Sequence, residues 1–458
     1  MDENSKNTTS VPAGTEETEE IIALEKQLEE ADLPDDLHAR TSTMVSRLRR
    51  VAKYGYFSRE YEPIAKYVSW ITQIPWGKFT EDNLDLANAK RQLDETHFGL
   101  NQVKERIMEY IAILHLQRDM QLVEEANKSA QASQTAPNVT TPPNSQTVSQ
   151  TNQGIPSQVS PVNSNQLQQS PATNQNAPLQ TQQNASVVQP NTQLPSPQTT
   201  ADSTLAKMVK LEGSSAHAPI ICLVGVQGIG KTSIAKSIAL AMGRSFVRIS
   251  LGGIAHVSEL RGTSRSEIDS EPGQVVKALI RTEVMNPLIL MDEIDKVSDF
   301  GGVRADVMAT LLEILDPEQN ATFRDYYVDY PVDLSKVMFV CTANNLGGIS
   351  AALLDRLEIV RMSSYTDQEK ERIAKDYLLP KVMMATGVNA NAIKFREDVW
   401  PLMIRPLGFD AGIRQLERNI TTLVRKVAKK MVEGQGNYFE ITPENFRQYL
   451  PEDFGVYS

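Results

Sequence analysis

At 458 residues the chain is long enough for two or three domains, and its formal net charge of -11 argues against a surface built chiefly to hold nucleic acid. No apolar run approaches the roughly 20 residues that a membrane span needs, and the opening MDENSKNTTS has neither the basic nor the apolar stretch of a secretion signal. The expectation is a cytoplasmic protein with no membrane partner, in which Cys222 and Cys341 are packed free thiols and the scattered histidines form no metal site.

Residues 1–17 are polar and acidic and read as a disordered tail. A helical N-terminal region, 18–80, follows. Apolar residues recur there at three- and four-residue spacing in Ile21 to Ala31, Leu37 to Val51 and Ser58 to Ile74. The basic run RLRR at Arg47–Arg50 reads as a solvated helix face, so nucleic acid is not an expected partner. Further helices are predicted at Leu84 to Leu93 and Leu100 to Val123.

The composition then changes. From Ser129 to Ala201 the chain carries no charged or aromatic side chain and consists mainly of Gln, Asn, Ser, Thr and Pro. Such a stretch cannot bury enough apolar surface to offset the entropy lost on ordering it. A disordered insertion is expected at 127–212, interrupting a domain that runs from 81 to 362.

Beyond the insertion, strands and helices alternate. Strands are predicted at Ile220 to Val224, Phe246 to Ser250, Leu288 to Asp292, Val337 to Thr342 and Leu357 to Met362. Five strands separated by helices imply an α/β fold with a parallel sheet covered on both faces and a ligand at the carboxyl ends of the strands. Residues 363–458 turn mostly helical and read as a smaller lid domain.

The first strand breaks into Gly225-Val226-Gln227-Gly228-Ile229-Gly230-Lys231-Thr232-Ser233, which matches the phosphate-loop pattern G-x-x-x-x-G-K-[ST] in its required place between strand and helix. Glycines let main-chain N–H groups converge on a phosphate chain, and the helix N-terminus adds partial positive charge. Lys231 would bridge the β- and γ-phosphates of ATP, and the Thr232 hydroxyl would ligate Mg²⁺. In LILMDEID the apolar strand ends in adjacent carboxylates: Asp292 is placed in the Mg²⁺ shell and Glu293 as the base that polarises the attacking water. FVCTANN ends a strand in the same way, with Asn344 set to position that water or to feel the γ-phosphate. Arg356 in LLDRLE lies just past a helix, where it could reach a neighbouring subunit's nucleotide. By residue type alone a surface salt bridge is the favoured reading of Arg356, and Arg414 in the lid has the same ambiguity.

These residues, in this order, resemble the ATPase module of Lon-type ATP-dependent proteases of the AAA+ superfamily. The likeness extends to RSFVRISLGG, LLEILDPEQNATF, DLSKVMFVCTANN, LLDRLEIVRMSSYT, GIRQLERNI and, before the insertion, IPWGKFTEDNLDLANAKRQLDETHFGLNQVKERIMEYIA. The resemblance implies that Arg356 is an arginine finger, Arg414 the lid's second sensor and Asn344 the first. It also implies that His97 and Phe98 lie near adenine, that the chain forms a homo-hexameric ring, and that unfolded or damaged proteins are its substrates.

Three departures stand out. Val226 and Gln227 replace the prolines of the family's usual GPPGVGKT. The Tyr-Ile-Gly loop that grips substrate is matched by Glu267-Ile268-Asp269. Ser458 falls where the family's peptidase domain begins, and no Ser-Lys dyad in a Gly-Pro-Ser-Ala-Gly-like setting occurs in the sequence. The leading expectation is therefore an ATP hydrolase that remodels protein without a peptidase centre of its own. The alternatives are a regulatory or scaffolding subunit, or half of a split protease completed by a separate peptidase chain.

Overall fold

A computed structural model describes residues 13–52, 57–134, 220–297, 303–405 and 412–451. The chain divides into two units, Met1–Val123 with Ala216–Ser458, and Glu124–Ser215. The N-terminal helices are α1 (Ala13–Glu30), α2 (Asp35–Ala52) and α3 (Phe57–Gln73), followed by α4 (Leu86–Thr96) and α5 (Asn101–Gln134). Helix α1 thus starts inside the stretch expected to be an unstructured tail. Helix α5 likewise continues through 127–134, the first residues assigned to the insertion. The rest of the expected tail and insertion, 1–12 and 135–212, lies outside the described residues.

After the insertion come β1 (Ile220–Val224), α6 (Lys231–Ala241), β2 (Phe246–Ser250), α7 (Val257–Arg261), α8 (Gln274–Thr282) and β3 (Leu288–Asp292). Then follow α9 (Val303–Leu315), a small antiparallel pair β4 (Phe323–Arg324) and β5 (Pro331–Val332), β6 (Met338–Ala343), α10 (Ala351–Leu354) and β7 (Leu357–Arg361). The five longer strands form one parallel sheet in the order β2-β3-β6-β1-β7. Their side chains alternate between two cores, as the two-residue strand period requires. Cys222, Val224, Ile289, Met291, Phe339 and Cys341 enter one core, while Ile221, Leu223, Leu288, Leu290, Met338 and Val340 enter the other. With both faces covered, these strands read as continuous apolar runs, which is why they could be placed from sequence within a residue or two.

The lid has its own core, built on α11 (Asp367–Ile373), α12 (Leu379–Thr386), α13 (Val399–Ile404) and α14 (Arg414–Val432). A π turn at Ala374–Leu378 joins α11 to α12, and Thr366 with Glu369 forms a reciprocal capping box at the start of α11. A short parallel pair, β8 (Ile393–Phe395) and β9 (Phe439–Ile441), also belongs to the lid. Three residues show too little of a two-residue period to be picked out of a helical background.

Candidate nucleotide site

The site forms where β1, β3 and β6 end. Gly225 follows β1, its N–H bonded to Ala343 O of β6 at 3.1 Å, and Met362 N bonds Val224 O at 2.8 Å from the other side. A Cβ at Gly225 would lie 2.4 Å from Ile229 Cδ1 and 2.6 Å from Met362 O, so a larger residue would force the loop off the sheet. Gly228 and Gly230 take φ of +82° and +93°, the left-handed region open to glycine at no steric cost. Ile229 is fully buried and pins the loop, while Val226 and Gln227 stand exposed at its crest. Gly230 caps α6 without a side chain, which leaves the first-turn N–H groups open, and Thr232 and Ser233 are exposed beside them.

Lys231 turns back over the loop. Its ammonium bonds Gly225 O, Val226 O at 3.1 Å and Asn344 Oδ1 at 2.8 Å. Burial pulls its pKa below the usual lysine value, against the opposing influence of Asp292, Asp295 and Glu293. Two residues 113 positions apart in sequence, the loop lysine and the polar tip of β6, are thereby joined.

Asp292 ends β3 almost fully buried and is held from two sides: Arg248 Nε reaches Oδ2 at 2.6 Å from β2, and the Thr342 hydroxyl donates to Oδ1. The same hydroxyl accepts from Glu293 N–H at 3.0 Å. Glu293 has φ +61° and ψ +47°, a conformation costly for a non-glycine residue, so the Thr342 bridge holds a strained backbone in place. Its carboxylate lies over Gly252, where a Cβ would come within 2.6 Å of Glu293 Oε2.

The lid closes the other side of the loop. Ile413 N bonds Gly228 O at 2.9 Å, and Tyr365 Oη bonds Ile229 O at 3.0 Å. A Cβ at Gly412 would sit 2.6 Å from Gly228 C, backbone against backbone. Arg414 begins α14 within contact distance of Gly228, its side chain exposed. His97 Nε2 is 3.0 Å from Ser233 Oγ and its Nδ1 3.0 Å from Thr96 Oγ1; burial, then the Lys104 charge, pushes its pKa down to about 4, so the ring is neutral. Phe98 packs against the lid core with Arg372 over its ring at 5.0 Å.

Arg356 is held apart from this cluster. Its Nη2 bonds Asp316 Oδ2 at 2.8 Å and its Nη1 bonds Ala352 O at 3.2 Å. Asp316 also accepts from Glu318 N and Gln319 Nε2. Burial raises its pKa, but these bonds outweigh it and hold the carboxyl below its ordinary value. Sequence alone does not mark Arg248, Asp316, Tyr365 or Thr342 as site residues. The only signal for Arg248 was its place on a strand, and its reach to Asp292 depends on β2 pairing with β3, which no local pattern encodes.

The glycine-walled loop, open N–H groups and a lysine bonded to carbonyls suit a triphosphate, and the exposed Thr232 hydroxyl and buried Asp292 carboxylate are the oxygen donors a hard divalent cation takes. Among the described residues no three His, Cys, Asp or Glu side chains gather as a metal-ligating group.

Residues 221–365 match the ATPase family associated with various cellular activities (AAA), and residues 384–439 match the Lon protease AAA+ ATPase lid domain. The chain carries the AAA+ module of the Lon family. Lon protease 1 of Bacillus subtilis (strain 168) is 33% identical over 434 residues, 94% of this chain and 43% of that protein. Lon protease of Dictyoglomus thermophilum is 35% identical over 416 residues, 91% of this chain and 40% of its own length. The mitochondrial Lon protease homolog of Homo sapiens is 33% identical over 393 residues, covering 86% of this chain and 31% of the human protein. The chain therefore spans less than half the length of these Lon relatives. In this Lon module the loop carrying Glu267, Ile268 and Asp269 leaves Ile268 94% exposed, and Asp269 takes φ +58° where the family pattern has glycine. Among the described residues no helix is long and apolar enough to cross a membrane.

Proposed function

We propose that the chain is a Mg²⁺-dependent ATP hydrolase and the motor of a Lon-type system that works on polypeptides. The observation that carries this reading is the cluster at the strand ends, in which Lys231 meets Asn344 and a single hydroxyl, Thr342, joins Asp292 to Glu293. Main-chain N–H groups from Val226 to Thr232 bind the phosphates, and Lys231 exchanges its loop carbonyls for β- and γ-oxygens. Thr232 and Asp292 would hold Mg²⁺, which would supply positive charge against the phosphates. Glu293 accepts a proton from the attacking water, and Asn344 orients that water toward the γ-phosphate. His97 and Phe98 flank the base, and Arg414 follows the lid as it settles on the loop. Arg356 serves the nucleotide of the next subunit in a homo-hexameric ring, an effect worth about 10³ to 10⁵ in rate where such fingers act. Two free buried thiols suit a reducing compartment such as the cytoplasm.

The relatives are named proteases, which supports polypeptide as the substrate; that it is taken in unfolded or damaged form is part of the same proposal. Titration with a fluorescent ATP analogue tests the cradle. Saturable binding that depends on Mg²⁺ is expected in the parent chain, with a loss of about 10²-fold or more in Lys231→Ala, on the scale of a truncated charged contact. Undiminished binding in that variant would remove Lys231 from the phosphate site.

A further inference from the structure

Asp292 already carries a cation of the protein's own. Arg248 lies on β2 opposite Leu290 of β3, and its side chain reaches forward along the sheet to the carboxylate two residues on. Both Nε and Nη2 stand 2.6 Å from a single oxygen, Oδ2. A carboxylate oxygen accepts along two lone-pair directions, so the guanidinium takes up what Oδ2 offers while the Thr342 hydroxyl holds Oδ1.

The two partners differ in freedom. The Asp292 side chain is 8% exposed, whereas that of Arg248 is 49% exposed. A half-exposed arginine can leave an ion pair for water at little cost in free energy, but the aspartate cannot follow it, because Thr342 bonds its other oxygen at the end of a buried strand. A ligand that needs Oδ2 must therefore displace the guanidinium. The charges nearby decide what kind of ligand that is. Asp292, Glu293 and Asp295 all lie close enough to Lys231 to act on its charge, and Asp295 Oδ1 is buried with no hydrogen-bond partner among the described residues. The Lys231 ammonium already bonds Gly225 O, Val226 O and Asn344 Oδ1, so it does not stand in for Arg248. An anion arriving at Oδ2 would meet three carboxylates, and only a cation can take the place of the guanidinium.

We propose that Arg248 is the resident counterion of Asp292, that it yields this place to Mg²⁺ when nucleotide binds, and that the exchange sets the Mg²⁺ concentration the site demands. The proposal rests on the nucleotide reading above and deepens it. Because a guanidinium keeps its charge at any pH at which the protein is folded, this competitor is not titrated away. The arginine thus opposes metal binding although it belongs to the site, and its removal lowers the Mg²⁺ requirement. A guanidinium that only props the aspartate in place gives the opposite result: its loss misplaces Oδ2 and raises the requirement.

The test is a Mg²⁺ titration at a fixed concentration of fluorescent ATP analogue, on the full chain and its variants Arg248→Gln and Arg248→Lys. Glutamine removes the charge and keeps an N–H donor, while lysine keeps the charge; β2 is an edge strand and the side chain is half exposed, so both variants keep the sheet. Half-saturating Mg²⁺ is expected to fall about three- to tenfold in Arg248→Gln, the scale of like charges a few ångströms apart in a largely aqueous setting, and to return toward the parental value in Arg248→Lys. The gap between parent and Arg248→Gln should narrow as KCl rises from about 0.05 to 0.5 M, since a half-exposed charge is screened. An unchanged or raised Mg²⁺ requirement in Arg248→Gln, beside Mg²⁺-dependent binding in the parent, would overturn the proposal and leave the nucleotide reading standing. A parent chain that binds no analogue at any Mg²⁺ concentration would overturn both.

Discussion

Replacing Thr342 by valine keeps the volume of a fully buried side chain and removes only its hydroxyl. Two bonds go with it: the one donated to Asp292 and the one accepted from Glu293 N–H. A hydrogen bond to a charged group contributes about 1.5–3 kcal/mol and a part-buried donor left unpaired costs up to about 1–3 kcal/mol, so a stability loss of about 2.5–6 kcal/mol is expected. Arg248 still holds the other oxygen of Asp292, which keeps the loss toward the lower end. The larger effect falls on turnover. Glu293 sits at φ +61°, a conformation that costs about 1–3 kcal/mol and relaxes once its N–H is released. A displacement near 1 Å at a reacting group costs about 10²-fold, so kcat should fall by about that factor, with ATP affinity within about threefold of the parent because the phosphate loop is untouched. Thr342→Ser retains both bonds and should restore most of the rate. Phosphate release, analogue titration and thermal melting on the three proteins separate these effects. A folded Thr342→Val protein with parental kcat would refute the role given to the bridge.

Acid sensitivity follows from His97, whose folded pKa of about 4 lies below the unfolded value of about 6.5. The unfolded chain binds the proton first, so this contribution to stability is full above pH 6.5 and lost as pH falls toward 4, about 2 kcal/mol by pH 5. Urea unfolding at pH 7 and pH 5 should show that difference in the parent and a flatter one in His97→Phe; an identical slope in both would exonerate the histidine. Between subunits, turnover per chain should rise with protein concentration as the ring assembles, and Arg356→Ala should lower the assembled rate by about 10³-fold. Asp316→Asn should produce a smaller fall, about tenfold, because the finger keeps its Ala352 bond but loses a charged partner. Specific activity that stays flat across a dilution that dissociates the ring would remove Arg356 from the mechanism.

The parts of the fold that could be read in advance are those whose pattern is local. Buried parallel strands announce themselves as apolar runs, and the phosphate loop as a fixed spacing of glycines ahead of Lys231, so the five sheet strands and the loop fall where residue type alone puts them. The contacts that aim the chemistry are not local. Thr342 meets Glu293 across 49 residues, Arg248 meets Asp292 across 44, and Tyr365 reaches Ile229 across 136, each by way of strand order or lid placement. Arg356 shows the limit most clearly: the family resemblance proposes it as a finger, but only the fold reveals that Asp316 holds it. Short elements were lost for another reason. Two or three residues of β4, β5, β8 or β9 hold too little of a period to be told from a turn.

The proposed division of labour between the loop that binds and the acid that prepares water is most directly tested by Glu293→Gln, with ATP binding and first-turnover phosphate release measured on the same sample. An unchanged dissociation constant with release slowed by about 10²- to 10⁴-fold, the scale of a lost general base, is the expected result. Phosphate release at close to the parental rate would contradict it.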